Sequence, residues 1–490
     1  MSIKRFVANK DTTITNAFYE NLITRAEIAN MGAADVLEIF SIYDQTTGQD
    51  SLNPGLFNPV TSGSIERSRV LIQFPIEDIK ADRLAGRIPT SGSVQYILKV
   101  FNVAHNASIP KDFSVTINPI SKSWEEGYGL DMEGYSDSGF VQLTGGYGCS
   151  WTYNESGSFW ETKGGDIVTG LNYDYIVNFK TGLENIELDI TPLVEEWISE
   201  SIPNNGIMIK LSSSYEDASK LTSYYTKRFS GRNSQYTLNR PCIEARWAPL
   251  VTDDRNNFFA SSSLLSAEDN TMNLYFYNKV GGSFKNIYGN PIPTVKFFID
   301  SSMTNEISSS LLTINNPLPG VYKAQVCLDT TSSIIYDKWV DPSDETKKYF
   351  SSSFDVLQRD NDTSSDTPKY IINITNLKPR YNQQEKARFN IYVREKDWQP
   401  NIYSVAYNNI ENTSIPNLYY KIFRFNDNYT IVDYSTGSLA YTKASYDENG
   451  NYFDLDMTIF EKDYGYGIKL ATWDGNYLKE FSDIFKFRID

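Results

Sequence analysis

The 490-residue chain is 40% hydrophobic and carries 45 basic against 61 acidic side chains, for a net charge of −16. At about 150 residues per domain it should hold roughly three domains, no apolar run approaches the roughly 20 residues of a membrane-spanning helix, and the acidity opposes nucleic acid and anionic membranes as main partners. One histidine, His105, and three scattered cysteines, Cys149, Cys242 and Cys327, exclude a two-histidine metal site and a disulfide framework, and leave any Ser or Cys nucleophile one choice of base.

The N-terminal MSIKRFVANKDTTITN has Lys4 and Arg5 but no apolar segment of secretory type, so synthesis in the cytoplasm without a signal peptide is expected. Period-two alternation follows: Val70, Ile72 and Phe74 in RVLIQF, then Phe113, Val115 and Ile117 in FSVTI. Such runs set one strand face on a core and the other in water. His105, in FNVAHN, reads as a strand-end residue.

Residues 124–166 are the least strand-like part of the first half, with Trp124, Trp151 and Trp160 among glycines and Glu125, Glu126, Asp131, Glu133 and Asp137. One reading is a carbohydrate contact, indole faces stacking on sugar rings while carboxylates bind hydroxyls. The other is a structured loop anchored by its tryptophans, since this residue is usually largely buried. The same carboxylates make calcium a candidate ligand, although DMEGYSD departs from the EF-hand pattern. No other cofactor is expected, and the glycine motifs that cradle nucleotides are absent.

DITPLVEEWISE gives one convincing helix, near 191–200: Thr191 is placed to cap, Pro192 suits the first turn, and Leu193 with Trp197 and Val194 with Ile198 form an apolar stripe. Downstream, Lys220, Lys227, Arg228, Arg232, Arg240 and Arg246 face only Glu244. On an acidic chain this strip is either a solvated strand face or a docking surface for an acidic neighbour, a second copy included, with Lys227, Arg228 and Arg232 as contacts.

CIEARW closes a strand, and the polar, irregular APLVTDDRNNFFASSS places a boundary near residue 250; the charged, aperiodic QRDNDTSSDTPK marks a linker at 358–368. Beyond it ARFNIYV alternates, and YDENGNYFDLDM offers Asn449-Gly450 as a hairpin turn. The fold expected is all-β, with sandwiches over 1–249, 250–358 and 368–490, the last two of immunoglobulin-like size.

The ordered series DTTITNAF, NMGAADVLEIF, SRVLIQFPI, SWEEGYG, a tryptophan loop ending GGD, ELDITPLVEEWI, NNGIMIKL, YYTKRFSGRNS and NRPCIEARW resembles the DNRLRE-type β-sandwich, a carbohydrate-binding-module-like jelly roll, over residues 9–247. YYTKRFSGRNS departs from that family's more arginine-centred segment, so no arginine role is carried over. DDRNNFFASSSLLSAEDN, INITNLKPRYNQQEKARFNIYVREKDWQPNIY and DENGNYFDLDM with YGYGIKL look like segments of virion structural proteins of tailed bacteriophages, in which such a domain precedes immunoglobulin-like ones. The resemblance implies a jelly roll over 1–249 followed by two immunoglobulin-like sandwiches. It further implies a non-enzymatic virion component of head, neck or tail that binds other virion proteins and copies of itself. A carbohydrate-binding adhesin or host-recognition module on the particle surface, turning residues 124–166 toward a host glycan, is the alternative. A polysaccharide-degrading enzyme is a third class, with no compact pair of acids to carry it.

Overall fold

The structure, a computed structural model, describes residues 2–18, 25–44, 64–89, 92–105, 110–130, 148–170, 172–217, 223–248, 251–357, 369–398, 402 and 412–490. The chain is multi-domain and rich in β-structure, and it divides into two compact units: Lys4–Leu84 with Val94–Ala245, and Met1–Ile3 with Ala85–Ser93 and Arg246–Asp490. The segment read as a linker, 358–368, lies outside the described residues.

In the Lys4–Ala245 unit one sheet runs, in spatial order, Ile3–Val7, Cys242–Trp247, Val94–Val100 and Ile186–Asp189; the other runs Tyr224–Ser230, Val36–Asp44, Ser64–Gln73, Ile207–Leu211, Phe113–Pro119 and Tyr175–Phe179. The long Ser64–Gln73 strand pairs with Ile207–Leu211 along one edge and is shared by two partners along the other. Lys10–Thr15 pairs with its second half, from Lys10 opposite Gln73 to Thr15 opposite Ser68, and Val36–Asp44 pairs with its first, from Ser41 opposite Arg67 to Asp44 opposite Ser64. Period two understates the burial here, because Val70, Leu71 and Ile72 are all inaccessible to solvent. Leu71 points away from the sandwich interior into a second apolar layer formed by the loop that follows Ile120.

Helix α1 (Ile76–Leu84) has no counterpart in the sequence reading: its buried positions are Ile76, Ile79 and Asp82, and the last is a charge that its ion pair with Lys4 helps to compensate. Helix α2 (Thr191–Ile198) buries Leu193, Val194 and Trp197 as its stripe implies, with Pro192 in the first turn. Its cap differs from expectation. Ile190 is the N-cap and makes no side-chain bond, while the Thr191 hydroxyl donates to Asp189 Oδ1 (2.5 Å) and accepts the Tyr96 N–H (2.8 Å).

The Arg246–Asp490 unit contains two sandwiches. In the first, Met272–Tyr277, Val321–Leu328 and Ser309–Leu318 form one sheet, and Phe258–Phe259, Lys348–Leu357, Ile334–Val340, Thr294–Phe298 and Glu306–Ile307 the other. In the second, Tyr370–Ile374, Lys386–Glu395, Gly450–Asp456 and Ser445–Asp447 face Arg380–Tyr381, Phe485–Ile489, Gly465–Trp473, Leu418–Arg424 and Thr430–Val432. Lettered in chain order these are B-E-D against A′-G-F-C-C′ and A-B-E-D against A′-G-F-C-C′. A′ runs parallel to G in both, with Phe258 opposite Val356 and Arg380 opposite Arg488.

This is immunoglobulin-like strand order, reached without a cysteine bridge. Where such a bridge would join B to F, Phe276 of B meets Trp339 of F with ring centroids 5.7 Å apart. Tyr466, at the start of F in the second sandwich, donates its hydroxyl to Glu461 O (2.9 Å) and accepts Glu461 N–H (2.8 Å), a tyrosine corner. The D–E hairpin turns one residue earlier than read from sequence: Asp447 pairs with Gly450, so Glu448 and Asn449 are the central residues, and Gly450 opens the next strand at φ +106°.

Candidate functional site

The three tryptophans of the loop over the larger sheet are core residues. Trp124, Trp151 and Trp160 are 3–4% exposed and pack with Ile14, Leu71, Ile120, Cys149 and Met208. Trp124 Nε1 donates to Asn205 O (2.8 Å) and Trp160 Nε1 to Ser150 O (2.9 Å). Cations lie over two of the rings, Lys10 Nζ 5.8 Å from the Trp124 centroid and the Arg69 guanidinium 4.9 Å from that of Trp151. Arg69 also donates to Gly164 O (2.8 Å) and pairs with Glu216 (2.7 Å), which fixes the end of the loop. The GGD motif is a backbone requirement: Gly164 and Gly165 have φ +91° and +96°, a conformation that L side chains rarely adopt. With both layers closed, no indole face is open to a sugar ring. The carbohydrate reading of Trp124, Trp151 and Trp160 therefore loses its aromatic platform.

Asp131, Glu133 and Asp137, the carboxylates behind the calcium reading, lie outside the described residues. Among the described residues no group of three or more His, Cys, Asp or Glu side chains is arranged to hold a metal ion. None of the three cysteines is in a disulfide; Cys149 and Cys242 are buried, and burial pushes the Cys149 thiol up, away from the reactive thiolate. His105 is half-buried in the coil after the Val94–Val100 strand.

At Lys227, Arg228 and Arg232 the basic strip is not an open, uncompensated surface. Lys227 is 2% exposed, and its ammonium donates to Asn102 Oδ1 (2.8 Å), Gly182 O (2.9 Å) and Glu184 O (2.6 Å) while facing the rings of Phe179 and Phe229 at 4.5 and 5.2 Å. Loss of hydration lowers its pKa to about 8. Arg228 pairs with Glu38, directly opposite it on the neighbouring strand. Arg232 forks onto Glu126, with Nη2 2.6 Å from Oε2. The docking role expected of Lys227, Arg228 and Arg232 is corrected accordingly: Lys227 is held by an amide and two carbonyl oxygens, and the counter-charges of Arg228 and Arg232 are Glu38 and Glu126, more than 100 positions away in sequence, which a local charge count does not register.

What the structure does bring together are three of the spaced motifs. Asp11 of DTTITN, Glu126 of SWEEGYG and Arg232 of FSGRNS meet at one point: Asp11 Oδ2 accepts Arg232 N–H (2.5 Å) and Glu126 Oε1 accepts Asp11 N–H (2.8 Å). Asn30 of NMGAAD completes the knot, its Nδ2 donating to Glu126 O (2.9 Å) and Cys149 O (2.8 Å) and its Oδ1 accepting Gly129 N–H (2.9 Å). Burial raises the Asp11 carboxyl to about 7, against the opposing pull of its bond to Arg232 and with the support of the nearby Glu126 charge. The arrangement holds a proton near neutrality, but Asp11 is wholly enclosed, so its chemistry is structural.

Sequence reasoning also missed a second cluster. DDRNN, read as an irregular boundary, contains a 3₁₀ turn (Asp254–Asn257) in which Asp254 and Arg255 are buried. Arg255 Nη2 bonds Asp337 Oδ2 (2.5 Å), its Nη1 bonds Asp253 Oδ2 (3.1 Å) and Tyr275 O (2.7 Å), and Trp339 Nε1 donates to the same Asp337 oxygen (2.8 Å). The preceding residues reach the second sandwich: Asp253 N–H donates to Tyr446 O (2.9 Å) and Tyr446 hydroxyl to Asp254 Oδ1 (2.7 Å). Val251, Tyr275, Val321 and Tyr452 form one apolar cluster from residues of both sandwiches. The only sequence signal was the pairing of acids with an arginine in a stretch otherwise without charge compensation.

No known family model matches the chain, and no curated protein does. Among solved structures it is similar to "Anomalous substructure of Titin-A168169", at 11% identity over 45% of this chain and 90% of that one with a TM-score of 0.15. It is also similar to "Marsupial T cell receptor", at 9% identity over 45% and 69% with a TM-score of 0.16. A likeness to E. coli alpha-2-macroglobulin, 9% identical with a TM-score of 0.16, covers 92% of this chain but 26% of that one. Likenesses this low carry nothing about function, and the immunoglobulin-like assignment of the two later sandwiches stands on their strand order.

Proposed function

We propose that the chain is a non-enzymatic structural component of a tailed-bacteriophage virion, placed in the head, neck or tail and assembled through protein–protein contacts of its sandwiches. The observation that carries this reading is the junction at 251–257: a segment that would serve as a flexible hinge between independent modules is instead buried, ion-paired and hydrogen-bonded to both sandwiches. A rigid double module suits a protein that holds its neighbours at fixed spacing. The resemblance to virion proteins supplies the setting, and its partners are other virion proteins and further copies of itself. The net charge of −16 speaks against nucleic acid as a partner, and among the described residues no helix is long and apolar enough to cross a membrane.

Host recognition is the second reading, favoured by one feature. The connection between strands B and C of the first immunoglobulin-like sandwich exposes Val280, Phe284, Tyr288 and Ile292, with Tyr288 fully accessible, in the place where antibody domains carry a binding loop. Mass spectrometry of purified particles, with gold-labelled antibody to locate the chain, tests both readings. A fixed copy number at an internal or joint position supports the structural one; tip location with loss of adsorption on Tyr288→Ala favours recognition. Absence from purified particles would overturn both.

A further inference from the structure

We propose that the Ser309–Leu318 edge strand pairs with the same strand of a second copy of this chain, about a two-fold axis at Thr313. The proposal deepens the assembly reading above and rests on it. In the three-stranded sheet of the first immunoglobulin-like sandwich, Val321–Leu328 lies between Met272–Tyr277 and Ser309–Leu318, so both outer strands are edges.

The two edges are treated differently. Along Met272–Tyr277, the Asn273 N–H is bonded by Asp254 Oδ2 (2.7 Å) and the Tyr275 carbonyl by Arg255 Nη1 (2.7 Å). That edge is closed by the junction segment. Those two bonds also fix the polarity of the sheet, because alternate residues of an antiparallel strand direct their main-chain groups to opposite sides. Asn273 and Tyr275 point outward, so Val326, Ala324 and Tyr322, which face Met272, Leu274 and Phe276, bond toward that strand. Gln325 and Lys323 then bond toward Thr313 and Asn315, their partners on the other side. It follows that Leu312 and Ile314 turn their N–H and C=O groups to the open edge, where no strand among the described residues pairs with them.

Exposed edges are normally guarded by charge, proline, bulges, brevity or cover; here Pro317 and the two register irregularities lie toward the ends of the strand and leave Leu311–Asn315 without such a guard. This strand is ten residues long, and residues 307–322 contain no charged side chain. Other uncharged edge strands among the described residues are shorter: Tyr175–Phe179 and Tyr370–Ile374 have five residues each and Thr430–Val432 has three. Leu311 and Leu312 are 39% and 41% exposed, and Leu312 shares the inward face with the half-buried Ile314, so an added strand would extend the core over it. Register irregularities at Ser309/Leu311 and Asn315/Leu318 confine regular pairing to Leu311–Asn315.

A second copy is the occupant this strand fits. Two chains of charge −16 repel, and contact is least costly where neither contributes charge. Antiparallel pairing about Thr313 sets Leu312 against Ile314 of the other copy twice over, matching every outward donor with an acceptor. It places the two Thr313 side chains opposite each other in a non-hydrogen-bonded pair, the close kind.

Thr313→Cys in a Cys327→Ser background of the full chain tests the contact. Mild oxidation should give a disulfide dimer, whereas Gln325→Cys, one strand inward, should give none. Thr313→Asp, which sets two carboxylates face to face on an exposed position, should abolish concentration-dependent dimerisation in sedimentation velocity without changing the circular dichroism spectrum. No cross-link from Thr313→Cys, or a dimer that survives Thr313→Asp, would overturn the proposal. A chain found in particles that fails to cross-link loses this contact alone; a chain that cross-links but is absent from particles loses the assembly reading alone.

Discussion

Asp11 and Lys227 show how burial reverses the ordinary behaviour of charged side chains. Lys227 keeps its ammonium because three oxygens and two aromatic rings replace part of its water. Asp11 has one strong acceptor contact and an Oδ1 with no hydrogen-bond partner, so it titrates near 7 instead of the usual 3.8. Its folded pKa is raised, so the native state binds the extra proton between those values. The associated stability is complete below about pH 4 and is lost as pH rises through about 7. At 1.36 kcal/mol per unit the loss is on the order of 4 kcal/mol. Asp11→Asn retains an acceptor for the Arg232 N–H and removes the titration. The unfolding free energy of the Lys4–Ala245 unit, measured by urea denaturation from pH 4 to 7.5, should lose the part of the wild-type decline that Asp11 contributes, while the part due to Asp253 in the other unit stays. An unchanged slope would mean that another group binds the proton.

At the scale of elements, the parts legible in the sequence are those set by local periodicity. The stripe of α2 and the alternation of ARFNIYV follow from side-chain spacing alone, and Ala387, Phe389, Ile391 and Val393 are all buried. What stayed hidden depends on partners distant in the chain. Asp82 enters α1 because Lys4 meets it, and Thr191 abandons its cap because Tyr96 needs an acceptor. The strip at 227–232 dissolves because Glu38 and Glu126 neutralise it. Trp197 is the clearest case of a local reading with an energetic consequence. It is 1% exposed on the buried face of α2 beside Leu193 and Val194. Trp197→Ala should destabilise the Lys4–Ala245 unit by about 3–5 kcal/mol through lost contacts and a cavity, leaving the transition of Arg246–Asp490 where it is. Differential scanning calorimetry separates the two. A single shift shared by both transitions would show that α2 supports more than its own unit.

For the molecule as a whole, the boundary near residue 250 is where composition misleads most. Polar, irregular sequence ordinarily marks a hinge. Here the charges of Asp253, Asp254 and Arg255 are enclosed, and an uncompensated charge at such a site would be costly. Burial, helped by the nearby Asp254 and Glu448 charges, raises the Asp253 carboxyl to about 7 even with Arg255 beside it. These residues remain enclosed because each has partners on more than one element, which makes the segment a shared strut. Tyr446 is its anchor in the second sandwich, 6% exposed, with both main-chain groups and its hydroxyl bonded to residues 251–254. Two sandwiches that share this strut and the Val251–Tyr275–Val321–Tyr452 cluster should unfold together. In the full chain the Arg246–Asp490 unit should therefore give one calorimetric transition whose van't Hoff and calorimetric enthalpies agree. Tyr446→Ala removes the ring and the hydroxyl bond while leaving both cores intact, and it should split that transition in two. If wild type already melts in two steps, or if Tyr446→Ala lowers one transition without dividing it, the junction does not transmit folding from one sandwich to the next, and the fixed spacing argued for the double module would have no energetic basis.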